Sequence, residues 1–143
     1  MFVSITRLRL RSLLFLPAFL LLNQRCLKQL RSSPGFVRGG ELLDKGLTFW
    51  TVTLWTSERE MKSFRGADAH SEAMKLLPEW CNEAAIAHWQ QDESDLPTWP
   101  EAHRKLNETG RLSRVNRPGQ NHTARRFREP SSASWRASSF TAS

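Results

Sequence analysis

The sequence contains little cysteine, no tyrosine and no established catalytic motif, and each absence excludes a class of protein. Two cysteines in 143 residues cannot build a disulfide framework, and a chain of this length buries a core without one. We therefore expect Cys26 and Cys81 to be reduced, buried thiols. The lack of Tyr excludes a mechanism in which a tyrosine hydroxyl acts as the general acid. No glycine-rich phosphate loop, G-x-S-x-G motif, Cys/His array or carboxylate pair with acid–base spacing occurs, so no enzyme class is indicated by motif.

The apolar run LLFLPAFLLL at residues 13–22 is too short to cross a bilayer as a helix. It follows Arg7, Arg9 and Arg11, as the apolar part of a secretory signal follows its basic part. No small-x-small cleavage site comes after it, and a helical pattern continues through NQRCLKQL. We predict a cytoplasmic protein with no membrane partner, and a signal or anchor within residues 1–22 is the alternative.

Acidic residues are missing from the first 40 positions, which hold seven Arg or Lys. Residues 41–106 are net negative and residues 107–143 are net positive, so the formal charge of +7 comes from the two ends. The length of the chain indicates a single domain. Its six Trp and eight Phe are enough to build a hydrophobic core, which excludes a fully disordered or fibrous chain.

Hydrophobic periodicity predicts an alternation of strands and helices up to Gly110. A break in the second helix is expected near residues 66–68, because Gly66 weakens the helix and Asp68 can cap a new turn. The predicted strands are 2–11, 36–43, 47–55 and 83–89, and the predicted helices are 17–31, 57–77 and 98–108.

The order strand–helix–strand–strand–helix–strand is the split β-α-β arrangement of ferredoxin-like α+β folds. It predicts, for residues 1–110, a four-stranded antiparallel sheet with two helices on one face. The strand 47–55 has large apolar side chains on both sides, with Phe49 and Trp55 on one and Trp50 and Leu54 on the other. Because something must cover the second face, we predict a homodimer, a dimeric α+β barrel whose two sheets enclose an apolar chamber.

Residues 111–143 are rich in Arg, Ser, Asn, Pro and Ala and show no apolar periodicity, which predicts a disordered basic C-terminal tail. Arg125, Arg126, Arg128 and Trp135 could contact nucleic acid or anionic lipid. The composition favours a solubilising end instead, so we expect no nucleic-acid partner.

A resemblance to a known superfamily rests on LTFWTVTLWTSEREMKSFRGADAHSEAMKLLPEWCNEAAIAHW, residues 47–89. This segment is similar to the second half of dimeric α+β barrel proteins related to antibiotic-biosynthesis monooxygenases. With RLRLRS (7–12), FLPAFLL (15–21) and LPTWPEAHRKL (96–106), the chain more closely resembles small proteins similar to spheroidene monooxygenase. The superfamily includes haem-degrading monooxygenases, cofactor-independent quinone-forming oxygenases and proteins with no known activity. The resemblance implies an apolar cleft and makes haem a candidate cofactor.

His70 is the candidate catalytic residue, because it is the only histidine on the apolar face of the main predicted helix. A helix restart at Asp68 would place it near a positive dipole end, which favours a neutral imidazole able to ligate iron. The alternative is a histidine that fills the helix–sheet seam or a dimer contact and makes a hydrogen bond. The resemblance places the ligand histidine of haem-degrading relatives at the position of Met74.

Aromatic and thioether side chains could form the wall of a pocket for a flat or polyene ligand, although core packing explains the same pattern. Met61 is one of the thioether side chains that could form this wall. With His70, the predicted ligand-binding set is Trp50, Trp55, Phe64, His70, Met74 and Trp80.

Two groups of basic residues are weaker candidates for ligand or metal binding. Arg7, Arg9 and Arg11 could bind a carboxylate or a haem propionate, while a solvated strand face or pairing with acidic residues is the alternative. His88 and His103 have no metal-ligand spacing, so we predict no metal except an iron at His70 if haem binds.

Two functions remain open. The first is a monooxygenase-like protein, an oxidoreductase whose homodimer encloses a hydrophobic small molecule, either haem or a polyene. The second is a non-catalytic small-molecule-binding or structural dimer.

Overall fold

The computed structural model of the protein describes residues 1–131 and 137–143. Within them the strands are β1 (Phe2–Leu10), β2 (Phe36–Asp44), β3 (Thr48–Trp55), β4 (Cys81–Gln90), β5 (Arg111–Leu112) and β6 (Ala137–Thr141). The helices are α1 (Leu16–Arg31), α2 (Glu58–Arg65), α3 (Asp68–Trp80), α4 (Trp99–Thr109) and α5 (Gln120–Thr123). A 3-10 turn, Leu13–Phe15, precedes α1. No helix of the described residues is long and apolar enough to cross a membrane.

The strands form one antiparallel sheet in the order β5-β4-β1-β3-β2-β6. The inner four strands have the predicted split β-α-β order, which confirms the α+β prediction. The sheet has six strands where the sequence predicted four, because chain after Gly110 adds β5 to one edge and β6 to the other.

The predicted break in the second helix is confirmed, since α2 ends at Arg65 and α3 begins at Asp68. Asp68 does not cap α3. It is the first helical residue and has a φ of 48°, and Ala67 occupies the N-cap position. The helix also continues past the predicted end at Leu77 to Trp80, with Pro78 in its last turn.

The prediction of a disordered tail is wrong for residues 111–131 and 137–143. Phe127 and His122 are 7 % and 6 % exposed, and β6 pairs with β2 through the backbone. Single buried side chains and backbone hydrogen bonds hold this segment, and neither produces an apolar period in the sequence. Residues 132–136, including Trp135, lie outside the described residues.

Gly39 on β2 allows this added strand to approach. A Cβ atom at Gly39 would lie 2.6 Å from the ring of Phe140 on β6 and 2.9 Å from the carbonyl oxygen of Val52 on β3. Gly39 therefore marks a close approach of one strand to its neighbours, where a larger side chain would not fit.

The two faces of the sheet are covered by different elements of the same chain. The helices α1, α2 and α3 cover one face, where Phe2, Leu8 and Trp55 are buried. On the other face the buried apolar side chains form one hydrophobic cluster. It consists of Val3, Ile5, Leu42, Trp50, Val52, Leu54, Ala85, Ala87, Ala102, Leu106 and Phe127.

The expected open face is thus covered by α4 and Phe127, not by a second copy of the chain. The sequence signal for this cover is weak, because α4 contributes only two fully buried apolar side chains, Ala102 and Leu106. The prediction of two helices on one face is corrected to three on that face and α4 on the other.

Candidate functional site

A cavity of about 400 Å³ lies between the sheet and the helices α1–α3. Its volume is in the range of small-molecule sites, roughly 300–1,000 Å³. The residues that line it come from the strands β1–β4, the helices α1–α3 and the segment after β5.

The helices supply the apolar wall of the cavity. The side chains of this wall are Phe19, Leu22, Leu27 and Leu30 from α1, Met61 and Phe64 from α2, and Ala73, Met74 and Leu77 from α3. Trp55 on β3 extends the wall, with its ring centroid 5.4 Å from that of Phe64. Met74 is half exposed and therefore lies at the rim.

The sheet supplies a polar floor. Because side chains alternate along a strand, Ser4 and Thr6 on β1 and Thr51 and Thr53 on β3 all face the cavity. Thr6 is paired with Thr51, and Ser4 with Thr53. Within the described chain, no protein group hydrogen-bonds the hydroxyls of Ser4, Thr6 or Thr51, so they are free to bond a ligand.

Glu41 on β2 adds a carboxyl group to this floor, opposite Thr51 in the register. The amide nitrogen Nδ2 of Asn23 on α1 donates to its Oε2 at 3.3 Å. Burial raises the pKa of Glu41, and the Asn23 hydrogen bond opposes that rise. Among the described residues, no cation lies within ion-pair distance of this carboxyl group.

His70 on α3 is held firmly beside the cavity. Its backbone N–H donates to Oε1 of Gln29 at 2.9 Å, and its Nδ1 lies 3.1 Å from the carbonyl oxygen of Arg65. Because a carbonyl only accepts, Nδ1 carries the proton of the neutral ring and Nε2 keeps its lone pair. Burial lowers the pKa of His70, so the imidazole is neutral at neutral pH.

His88 on β4 is a second histidine at the cavity, which the sequence reasoning considered only as a metal ligand. It faces the same side as Ser4, its partner in the register, and its ring centroid lies 5.4 Å from that of Phe2. Burial lowers the pKa of His88, and the nearby charges of Arg65 and Arg111 lower it further. Strand alternation along β4 is the signal that could have placed it here.

The structure places four of the six predicted ligand-binding residues at the cavity: Trp55, Phe64, His70 and Met74. Ligand binding by these four stays a prediction. Trp50 lies on the opposite face of the sheet, because even-numbered residues of β3 point away from the cavity, and its ring packs near His103 at 6.1 Å. Trp80, at the end of α3, stacks on Phe15 at 6.1 Å and does not line the cavity.

Arg7 and Arg9 on β1, and Arg11 just after it, form ion pairs with acidic residues. This is the alternative to ligand binding that the sequence left open. Arg7 lies 2.9 Å from Glu83, Arg9 lies 3.6 Å from the same carboxylate, and Arg11 lies 2.8 Å from Glu79. These distances join arginine nitrogens to carboxylate oxygens. None of the three arginines lines the cavity.

Both cysteines are free, and both line the cavity. Cys81 is buried and Cys26 is half-buried. Burial raises the pKa of Cys26 to about 11 and that of Cys81 to about 12, so both thiols are protonated at neutral pH.

This sheet topology, with helices over one face, is the fold of the antibiotic-biosynthesis-monooxygenase-like proteins, as solved structures show. One is an antibiotic biosynthesis monooxygenase with a TM-score of 0.58 and 10 % identity, over 65 % of this chain and 100 % of that one. A variant of SnoaB, a cofactor-independent oxygenase from Streptomyces nogalater, has a TM-score of 0.54 and 14 % identity, over 65 % and 94 %. Rv0793 from Mycobacterium tuberculosis has a TM-score of 0.57 and 17 % identity, over 66 % and 98 %. These identities show the fold alone.

A sequence profile described as Domain of unknown function (DUF3291) matches residues 26–140. The chain belongs to this family. No curated protein matches the sequence.

Proposed function

We propose that the protein binds a hydrophobic small molecule in the cavity between the sheet and α1–α3, as a monooxygenase-like protein. One observation carries the proposal: an apolar wall faces a floor on which the hydroxyls of Ser4, Thr6 and Thr51 have no hydrogen-bond partner among the described residues. The wall would exclude water from an apolar ligand, and the hydroxyls would bond its oxygen atoms. The fold shared with SnoaB, which is named a cofactor-independent oxygenase, supports the oxygenase part of the proposal.

Haem is one ligand that the lining residues fit. The engaged Nδ1 of His70 leaves Nε2 as the ligating atom, and an acceptor on the other nitrogen is the usual support for such a ligand. Arg65 and Arg114 line the cavity and would pair with the propionates. Haem supplies oxygen activation when it is bound. A polyene, the ligand that the spheroidene monooxygenase resemblance suggests, would need only the apolar wall.

The test is a titration of the purified protein with hemin, followed by the absorption spectrum, with His70→Ala and His88→Ala beside the wild type. We expect a saturable shift of the Soret band at one hemin per chain that His70→Ala loses and His88→Ala keeps. His88 is the matched control, because it lines the same cavity on a different element.

Other results would change the proposal in separate ways. A shift that His70→Ala shares would remove His70 as the ligand, and an absent shift would remove haem. Binding of the uncharged dye N-phenyl-1-naphthylamine at one per chain would still support a cofactor-free cavity. Failure of this dye as well would leave the second function, a structural protein without a ligand.

The homodimer remains part of the proposal, and the surface that supports it consists of the 3-10 turn before α1 and the start of α1. Leu13, Leu14, Leu20 and Leu21 are 69 %, 86 %, 43 % and 67 % exposed, which is unusual for neighbouring large apolar side chains. A second copy of the chain would cover them. Cytoplasmic location also stays a prediction, which fractionation of cells would check.

Light scattering on the full chain tests the dimer. We expect a mass twice that of the 16.5 kDa chain, and a monomer for the double variant Leu14→Glu with Leu21→Glu. Leu43→Glu, which changes an exposed leucine on β2, is the control and should stay dimeric. A wild-type monomer at micromolar concentration would contradict this part of the proposal.

A further inference from the structure

The cavity contains charged groups that the protein itself does not neutralise. On the β2 side, the Glu41 carboxyl receives a hydrogen bond from Asn23 and has no ion-pair partner among residues 1–131 and 137–143. The buried pair of Arg7 and Glu83 on the other face of the sheet, by contrast, has its counter-charge at 2.9 Å. A carboxylate in an apolar cavity without a counter-charge is costly, and a cationic ligand would reduce that cost.

The opposite, β4 side of the cavity carries positive charge. Arg65 at the end of α2 interacts electrostatically with His88, and Arg114 follows Ser113, whose N–H donates to the carbonyl of Ala84 on β4. In the described part of the chain, neither guanidinium lies within 4.0 Å of a carboxylate. Glu58, the acidic group near Arg65, forms an ion pair with Lys62, whose Nζ lies 3.0 Å from its Oε1.

The two sides are separated by the width of the sheet. Glu41 is on β2 and His88 is on β4, with β3 and β1 between them. Three strand spacings place the two sides roughly 14 Å apart. The apolar wall and the hydroxyl floor occupy the space between them.

From this arrangement we propose that the cavity prefers a ligand with charged groups at both ends of an apolar body over an uncharged ligand of the same shape. Its oxyanion, a carboxylate, meets Arg65, and its ammonium meets Glu41. Glu41 and Arg65 are then residues that determine specificity. This inference rests on the proposed function, because it uses the same cavity.

The experiment compares two pairs of fluorescent probes that differ in one charged group. N-phenyl-1-naphthylamine is uncharged, and 8-anilinonaphthalene-1-sulfonate is the same skeleton with a sulfonate. Dansyl ethylenediamine carries an ammonium, and dansyl propylamide replaces it with a methyl group. We expect the wild type to prefer the charged member of each pair, and to lose that preference as salt is raised.

Two variants assign the preference to the two sides of the cavity. Arg65→Gln should weaken sulfonate binding about tenfold, and Glu41→Gln should weaken ammonium binding about tenfold, while both leave the uncharged partners within about twofold. The hydrogen bond that the Arg65 carbonyl oxygen accepts from His70 Nδ1 is not altered by the side-chain change. Arg59→Gln and Glu93→Gln, which make the same charge changes outside the cavity, are the controls and should change neither preference.

The remaining outcomes separate the two proposals. If the wild type binds the uncharged probes but prefers neither charged one, this inference is wrong and the apolar binding site stands. If a variant weakens both members of a pair equally, its residue has a structural role and the inference is again wrong. If neither hemin nor any of these probes binds, the proposed function fails as well.

Discussion

Replacing Glu83 by alanine is expected to destabilise the protein by about 3–5 kcal/mol, because it leaves a buried guanidinium without its counter-charge. Arg7 is 2 % exposed and its Nη1 lies 2.9 Å from Oε1 of Glu83. The guanidinium also lies between two rings, 5.6 Å from that of Trp50 and 5.8 Å from that of Phe127. Water therefore cannot replace the lost carboxylate. Urea unfolding followed by circular dichroism would measure the change.

Glu79→Ala is the control for this variant, because Glu79 pairs with Arg11 at the surface. Removal of this exposed carboxylate should change stability far less than removal of Glu83, because solvent screens ion pairs at the surface. The double variant Arg7→Met with Glu83→Met should recover most of the lost stability, since it removes both charges and leaves apolar side chains. A cost for Glu83→Ala no larger than that for Glu79→Ala would show that Arg7 reaches water.

Phe127→Ala is expected to cost about 3 kcal/mol, the second largest effect that we predict. Phe127 packs with Val52 and Leu106 in the cluster on the second face of the sheet. Its carbonyl oxygen also lies 2.7 Å from Nε2 of His103 on α4, which fixes the segment in place. Removal of the ring leaves a cavity under a segment whose sequence predicts no order.

The control is Arg126→Ala, an exposed neighbour that should change stability by no more than about 0.5 kcal/mol. A double-mutant cycle of Phe127→Ala with Leu106→Ala should show a coupling of at least about 0.5 kcal/mol, because the two side chains share one cluster. Equal, small effects of Phe127→Ala and Arg126→Ala would mean that the segment is not packed on the sheet and that the predicted tail is correct.

The candidate site was only partly predictable, because a strand pattern separates two sets of side chains without saying which set faces a cavity. Trp50 and Trp55 are five residues apart on β3 and therefore lie on opposite faces. Only Trp55 lines the cavity. Glu41 and His88 come from strands that meet the same cavity through pairing of segments far apart in the sequence, and no local spacing relates them.

The sequence by itself determined the order of the elements up to Gly110, the antiparallel sheet of the inner four strands, and the break between α2 and α3. These features depend on local properties: side-chain alternation, helical periodicity and weak helix formers such as Gly66. Only the tertiary structure decided that α4 and Phe127 cover the second face, and that Glu41, His70 and His88 share one cavity. Such contacts join residues far apart in the chain through burial and backbone pairing, which leave no periodic signal in the sequence.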